Sequence, residues 1–208
     1  AVTVMGPTGY GKSTLMAQWH AALTGADPRM ACVAWLNLDE NDNDPPRLLR
    51  YLYGALAKCV PTLAADAVTE ISRTTDLPVL LESLSLKLAA HEQPIVLFLD
   101  DAHVITKPDA SRIVEWLLSH AGTQLRFVIG GRQAAGWPQA ELRLRGQLLE
   151  IDQRDLAFNR DEARSFCTTR LTHALEPAAL GRLLEKTEGW PAAMELLTLA
   201  LNDTPDAG

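Results

Sequence analysis

The sequence lacks an apolar run of the roughly 18 residues that a membrane-spanning helix needs. It also lacks a basic segment ahead of its first apolar stretch, so the start does not resemble a signal peptide. No run of Lys or Arg exceeds two residues, and the net charge is −7. Such a chain is a poor bulk nucleic-acid binder, because neutralising phosphates needs a basic face. We expect a cytoplasmic protein without a membrane partner.

Cysteine and histidine are too few and too scattered to predict a metal site. The cysteines Cys32, Cys59 and Cys167 match neither a metal-binding spacing nor a secreted disulfide framework. We expect reduced, mostly buried thiols, because disulfides are rare in the cytosol, and a disulfide pair is the less favoured alternative. The five histidines form no HxxxH or HExxH pattern, so ordinary surface or partly buried histidines are the simpler interpretation.

Short apolar runs alternate with helical periodicities over the first three quarters of the chain. Buried strands are predicted at 1–5, 31–38, 95–99, 124–132 and 147–151. Helices are predicted at 12–24, 45–59, 77–91 and 111–120, with a short helix within 136–146 and irregular or weakly helical chain at 61–75. This alternation predicts an α/β fold with a parallel sheet and helices on both faces.

Residues 158–202 show helical patterns only. Asn159 and Glu162 predict a capping box, and Pro191 suits the first turn of a last helix. We expect a nucleotide-binding α/β core at 1–152 and a small, lid-like helical subdomain at 153–208. The chain opens inside its first strand and ends without a folding signal, so we expect a fragment of a longer protein.

The stretch GPTGYGKST, residues 6–14, is a complete P-loop, or Walker A, pattern between a predicted strand and a predicted helix. Glycines allow the backbone to curl around an anion with its N–H groups pointing inward. The following helix directs its positive dipole end at the same anion. The nucleotide-binding residues that this pattern indicates are Gly6, Gly9, Tyr10, Gly11, Lys12, Ser13 and Thr14.

Three side chains of this loop have separate roles. Lys12 reaches the β- and γ-phosphates and assists their chemistry, and the Ser13 hydroxyl ligates Mg²⁺, a hard ion that prefers oxygen. Thr14 can contact the α-phosphate. ATP or ADP with Mg²⁺ are therefore the expected cofactors, and a glycine-rich turn that binds nothing is the alternative interpretation.

The segment IVLFLDD places two acids at the end of a strongly predicted buried strand. P-loop proteins need an acid there to hold Mg²⁺. We assign Asp100 to the metal shell and Asp101 to orienting or activating a water. A solvated strand end is the alternative interpretation of the pair.

Two further positions extend this candidate site. Arg132 ends the strand RFVIGGR, from which its guanidinium could sense the γ-phosphate. An ordinary surface arginine explains that position equally well. Trp190 and Pro191 form a rigid turn before the last helix, and a helix boundary with Trp190 in the core is a sufficient explanation of it.

Five segments together resemble the nucleotide-binding domain of MalT-type large ATP-binding LuxR regulators, which belong to the STAND class of signal-transduction ATPases. They are GPTGYGKST, WLNLDENDNDPPRLLRYL, VLFLDDAH, LRLRGQLLEI and KTEGWPAAMELL. The resemblance covers essentially the whole chain. It implies an AAA+-like core with a small helical subdomain, ADP bound at rest and ATP bound in the active state. It also implies that Pro191 packs near the adenine and that Arg132 is a sensor.

The resemblance further implies regions that this chain does not contain. Full-length members continue into a winged-helix part, a superhelical region that binds an inducer, and a LuxR helix-turn-helix that binds DNA. Inducer and DNA would therefore be partners of the absent regions. This sequence departs from the family in having Ser13 where many members have threonine, and Gly131 where a serine often precedes the arginine.

We expect a nucleotide-dependent switch. ATP would favour an open, self-associating state and ADP a closed monomer, with weak ATP hydrolysis as a timer. A catalytic ATPase or a kinase with a small acceptor would use the same Lys12 and Asp100, although no arginine-rich lid is visible. A third possibility is an interaction module that has lost nucleotide binding, and the intact Lys12, Ser13 and Asp100 argue against it.

Overall fold

The computed structural model describes residues 1–26, 30–73, 76–120, 122–133, 137, 139–172 and 175–203. The chain folds into two compact units. The sheet unit consists of Ala1–Met5 and Ser13–Glu150, and the helical unit consists of Gly6–Lys12 and Ile151–Gly208. No helix in the described ranges is both long enough and apolar enough to cross a membrane.

Five strands form one sheet. They are β1 (Val2–Met5), β2 (Cys32–Asn37), β3 (Ile95–Asp100), β4 (Leu125–Gly131) and β5 (Leu149–Ile151), in the order β2-β3-β4-β1-β5. The β2–β3, β3–β4 and β1–β4 pairs are parallel. The carboxyl ends of these strands therefore share one edge of the sheet, where α/β proteins place their ligand sites.

Within the described ranges, six helices lie between these strands along the chain. They are α1 (Lys12–Gly25), α2 (Pro45–Leu56), α3 (Thr62–Arg73), α4 (Leu77–Ala89), α5 (Pro108–His120) and α6 (Gln139–Leu144). β3 is buried along its whole length. Its residues Leu97 and Leu99 join a core cluster with leucines of α2 and α4, whereas the ring of Phe98 contacts Trp19 of α1, with centroids 6.0 Å apart. Helices therefore cover both faces of the sheet, as a parallel sheet requires.

Of the irregular or weakly helical chain expected at 61–75, residues 62–73 form the helix α3. Threonine, serine and β-branched residues lower the intrinsic helix propensity of this segment. Tertiary contacts nevertheless stabilise α3 as a helix. Leu63 is fully buried in the main core, and Asp66 forms an ion pair with Lys87 of α4 at 2.9 Å. Residues 74–75 lie outside the described ranges, as do Gly136 and Pro138 at the start of the predicted short helix.

The helical unit contains α7 (Gln153–Leu156), α8 (Arg160–Arg170), α9 (Pro177–Thr187) and α10 (Pro191–Asp203). The sequence did not predict α7. The capping box at the start of α8 is confirmed, because Asn159 Oδ1 accepts from the Glu162 N–H at 3.0 Å and the Glu162 carboxylate accepts from the Asn159 N–H at 2.9 Å. The core of this unit consists of Ala163, Cys167, Leu180, Leu183 and Met194.

Cys32 and Cys59 form a disulfide, with Cα atoms 5.6 Å apart. The expectation of three reduced thiols is therefore wrong for this pair. Cys32 opens β2 and Cys59 lies in the turn after α2, so the crossover of the chain brings together residues 27 positions apart. Cys167 is free and buried, and its burial raises the pKa of the thiol.

Candidate functional site

The segment Gly6–Lys12 joins β1 to α1. Gly9 and Gly11 have φ angles of +84° and +77°, in the left-handed region that glycine enters at no steric cost. A Cβ at Gly9 would also lie 2.6 Å from the Cβ of Ala192, whereas a Cβ at Gly11 would meet no described atom within 4 Å. The backbone conformation therefore requires glycine at both positions, and close packing requires it again at Gly9.

Lys12 begins α1, and its side chain is largely buried. Its Nζ donates a hydrogen bond to the carbonyl of Pro7 at 2.8 Å, so the ammonium lies over the loop and not out in solvent. Ser13 and Thr14 follow in the first turn of α1 and are exposed. The first backbone N–H groups of a helix have no acceptor within the helix, so this end of α1 offers donors to an anion.

Two carbonyls of the loop are bonded to the start of α10, one to the residue before it and one to its second residue. Trp190 Nε1 donates to the Thr8 carbonyl at 3.2 Å, and the Ala192 N–H donates to the Gly9 carbonyl at 3.1 Å. Pro191 lies between these two donors as the first residue of α10. The helical unit thus brings the glycine loop and Pro191 together. Trp190 is 38 % exposed, so its interpretation as a core residue is wrong.

Tyr10 is held on two sides within the helical unit. Its ring stacks on that of Trp190 with centroids 6.3 Å apart, and its hydroxyl accepts from Gln153 Nε2 at 2.8 Å. The side chain is 8 % exposed. The side chain of Tyr10 is therefore occupied by protein contacts, and a role in nucleotide binding would belong to its backbone N–H.

Asp100 is the last residue of β3 and is 5 % exposed. Its Oδ1 accepts from the Asp101 N–H at 2.9 Å. Gly130 of β4 lies against it, since a Cβ there would be 2.8 Å from that oxygen and 2.5 Å from the sulfur of Met16. Met16 lies one helical turn after Ser13. The sheet unit therefore brings the carboxylate and the first turns of α1 to the same strand end.

The sequence did not predict that Gly130 makes room for the Asp100 carboxylate and for Met16. Glycine inside a strand weakens it unless another group must approach the backbone closely. The GG pair directly after Phe127, Val128 and Ile129 was therefore a usable signal.

Asp101 and Arg132 follow the ends of β3 and β4. Asp101 has a φ of +56°, which is uncommon outside glycine, and its exposed carboxylate lies 3.8 Å from His103 Nδ1. Arg132 directly follows the last residue of β4, and its side chain is exposed. Its role as a phosphate sensor stays a prediction.

The polar segment after β2 supports the strand end that carries Asp100. The Leu38 N–H donates to the Asp100 carbonyl at 3.0 Å. Asn43 is buried and bridges to the chain after β3, because its Nδ2 donates to the Val104 carbonyl and its Oδ1 accepts from the Thr106 N–H, both at 2.8 Å. These bonds give Asn43 a structural role in holding the chain segments after β2 and β3 together.

Arg47, in the first turn of α2, binds two acids of the polar segment after β2. Its Nε donates to Asp42 at 2.9 Å and its Nη2 donates to Asp39 at 3.0 Å. The hydrogen bond with Asp42 raises the pKa of the Arg47 guanidinium. Asp39 and Asp42 are thus paired with a cation. In the described part of the chain, no group of three or more His, Cys, Asp or Glu residues could hold a metal ion by itself.

Comparison with known proteins agrees with this geometry. Residues 1–129, more than half of the chain, match the model of the AAA ATPase domain. The chain belongs to the AAA ATPase domain family. This AAA ATPase domain is 34 % identical over 206 residues to the HTH-type transcriptional regulator MalT of Cronobacter sakazakii, covering 98 % of this chain and 22 % of the relative. MalT of Yersinia enterocolitica is 34 % identical over 196 residues, covering 93 % and 21 %.

These relatives confirm the resemblance to MalT-type regulators, and the chain spans about a fifth of their length. Two solved structures share the fold. The Aeropyrum pernix ORC1 protein in complex with DNA has a TM-score of 0.59 at 15 % identity, covering 96 % of this chain and 53 % of that one. Drosophila ORC bound to DNA has a TM-score of 0.55 at 14 % identity, covering 94 % and 47 %. They confirm the predicted P-loop α/β fold of this AAA ATPase domain.

Proposed function

We propose that this chain is the nucleotide-binding switch domain of a MalT-like transcriptional regulator. The amides of residues 9–12 and the ammonium of Lys12 hold the phosphates of ATP or ADP. The observation that carries this proposal is the left-handed backbone of Gly9 and Gly11 directly before a helix that begins at Lys12. Successive N–H groups in such a bend form a concave anion site, and the helix dipole adds to it.

Mg²⁺ is the metal that the donor set fits. The Ser13 hydroxyl is exposed and Asp100 provides a carboxylate, and both are the oxygen ligands that Mg²⁺ prefers. Asp100 Oδ1 is fixed by the Asp101 N–H, and we assign Oδ2 to the metal or to a water bound to it. Ser13 and Asp100 would leave the rest of the coordination of Mg²⁺ to phosphate oxygens and water, which is usual for this ion.

Three further residues complete the proposed site. Arg132 reads the γ-phosphate through its guanidinium, which suits phosphate better than an ammonium does. Asp101 orients a water for slow hydrolysis, and its left-handed backbone supports this role because strained residues cluster at functional sites. Pro191 packs against the adenine.

The γ-phosphate, which ATP carries and ADP lacks, is what would switch the domain between its two conformational states. A ligand shifts a conformational equilibrium only through different affinities for the two states. The γ-phosphate held by Arg132 supplies that difference, so ATP favours self-association, and through it DNA binding by regions beyond this chain.

The test is light scattering of the chain with Mg·ATP and with Mg·ADP, alongside Arg132→Ala. We expect a larger mass in ATP than in ADP for the wild type. The variant should bind ADP normally and lose the difference in mass. Equal masses of the wild type in both nucleotides would contradict the switch.

A catalytic ATPase or a kinase with a small acceptor is the second candidate, and the strained Asp101 beside Asp100 is the observation that favours it. Phosphate release separates the two. A rate far below the roughly 1 s⁻¹ at the lower end of ordinary enzymes, without stimulation by an acceptor, supports the switch. Faster or acceptor-stimulated release supports the catalytic candidate.

A further inference from the structure

We propose that Trp190 is a positioning residue for the phosphate-binding loop, and this inference rests on the proposed nucleotide site. Trp190 acts on the side of the loop that faces away from the phosphates. It holds the loop amides in their binding orientation, so its loss weakens binding of nucleotide phosphates without any direct contact to them.

The planarity of the peptide bond links the two sides of the loop. In a trans peptide, the C=O of one residue and the N–H of the next point in opposite directions. The Thr8 carbonyl bonded to Trp190 Nε1 therefore directs the Gly9 N–H away from Trp190. The Gly9 carbonyl bonded to the Ala192 N–H directs the Tyr10 N–H away from α10 in the same manner.

The ring of Trp190 also fixes where the loop can lie. A Cβ at Gly9 would be 2.8 Å from Trp190 Nε1 and 3.3 Å from Cε2, so the indole packs directly on the backbone of the loop. Tyr10 stacks on the same indole, and Gln153 holds the Tyr10 hydroxyl from α7. The loop is thus clamped through two carbonyls and one side chain.

The conformation of the turn before Trp190 is fixed by its backbone angles and by packing against Phe158. After α9 ends at Thr187, Glu188 and Gly189 adopt φ angles of +51° and +71°. The Gly189 carbonyl accepts from the Phe158 N–H at 2.8 Å, and a Cβ at Gly189 would lie 2.6 Å from the Phe158 carbonyl oxygen. This packing sets the direction in which the chain enters Trp190. Gly189 and Trp190 of the EGW sequence therefore each have a physical reason to be there.

The test compares the ADP and AMP affinities of the wild type, Trp190→Phe and the control Trp116→Phe by calorimetry in Mg²⁺ buffer. Phenylalanine keeps an aromatic ring and removes the N–H donor. The ring of Trp116 stacks on His120 in α5 and serves as a matched Trp→Phe change. A net hydrogen bond is worth about 0.5–1.5 kcal/mol, so we expect ADP to bind roughly 2- to 10-fold more weakly to Trp190→Phe. AMP lacks the β-phosphate that the loop grips, so its affinity should change less.

A spectroscopic readout accompanies the titration. In a ¹⁵N-labelled protein, the indole cross-peak missing from Trp190→Phe belongs to Trp190, and it should shift when ADP is added to the wild type. Unchanged ADP affinity in Trp190→Phe would overturn the inference, as would equal weakening of ADP and AMP or an indole peak that does not respond to ADP.

The same titrations distinguish failure of the proposed function from failure of the role proposed for Trp190. If the wild type does not bind ADP, both the nucleotide site and the role of Trp190 are overturned. If the wild type binds ADP, Lys12→Ala does not, and Trp190→Phe matches the wild type, the inference alone is overturned.

Discussion

Gly130 of β4 and Asp100 of β3 approach so closely that a Cβ on residue 130 would lie 2.8 Å from Asp100 Oδ1. The same Cβ would lie 2.5 Å from the sulfur of Met16 on α1. One missing methyl group thus allows a buried carboxylate and a helix to meet at the edge of the sheet. The orientation of the proposed Mg²⁺ ligand therefore depends on a residue that carries no functional group.

Gly130→Ala should displace the Asp100 carboxylate and so weaken the dependence of nucleotide binding on Mg²⁺. We expect the gain in ATP affinity that Mg²⁺ gives to shrink, as measured by titration with and without EDTA. Gly131→Ala is the matched control, because a Cβ there would meet its neighbours at 3.4 Å, which is ordinary contact. An unchanged Mg²⁺ effect in Gly130→Ala would contradict the coupling of Gly130 to the metal site through Asp100.

Replacing Gly9 or Gly11 by alanine should distinguish the energetic cost of the backbone conformation from the cost of a packing clash. Both variants incur the roughly 1–2 kcal/mol of a left-handed non-glycine residue. Gly9→Ala also clashes with Ala192 and Trp190, which typically adds about 1–3 kcal/mol. Nucleotide-free Gly9→Ala should therefore unfold at lower denaturant concentration than Gly11→Ala. The reverse order would contradict the packing of Trp190 on the loop.

The disulfide between Cys32 and Cys59 predicts how many thiols the denatured chain exposes before and after reduction. In denaturant without reductant the chain should expose one titratable thiol, Cys167, and after reduction three. A bridge across a separation of this size stabilises by about 3.5 kcal/mol in the chain-entropy model, so Cys59→Ser should lower the free energy of unfolding by a similar amount. Three thiols in the unreduced denatured protein would contradict the bridge.

Cys167 should react slowly while the protein is folded. Burial raises the pKa of its thiol, so less of the reactive thiolate is present at a given pH than in an exposed cysteine. Alkylation of the folded protein should begin at a higher pH than alkylation of the denatured chain. Identical pH profiles for the two forms would show that the thiol is accessible.

Asn43→Ala should destabilise the sheet unit. The buried amide donates to Glu40 and Val104 and accepts from Thr106 and Lys107, and each buried group left unpaired costs about 1–3 kcal/mol. We expect a loss of about 3 kcal/mol, measured by chemical denaturation. Asn41→Ala is the control, since that side chain is exposed and its replacement should change stability by less than about 0.5 kcal/mol.

Local patterns were enough to predict the strand, loop and helix around Gly6–Lys12. The strand that ends in Asp100 was equally clear, because every residue from Ile95 to Leu99 is apolar and buried. Capping at Asn159 was predictable for the same reason, since the capping side chain and its N–H partners lie within three residues.

Features that depend on distant contacts could not be predicted. The bond from Trp190 to Thr8 joins residues 182 positions apart, and no local pattern signals it. The disulfide needs the crossover from β2 through α2 to place Cys59 beside Cys32. The helix α3 is stabilised by tertiary packing, including the burial of Leu63, which no local pattern shows.

The central claim is that the loop from Gly6 to Ser13 binds a nucleotide through its amides and Lys12. Calorimetric titration of Mg·ADP and Mg·ATP into the wild type and Lys12→Ala tests it most directly. We predict one site in the wild type and an affinity lower by roughly 10- to 100-fold in the variant, because a hydrogen bond to a charged group contributes about 1.5–3 kcal/mol. Equal affinities of the two proteins, or no heat of binding to the wild type, would contradict the claim.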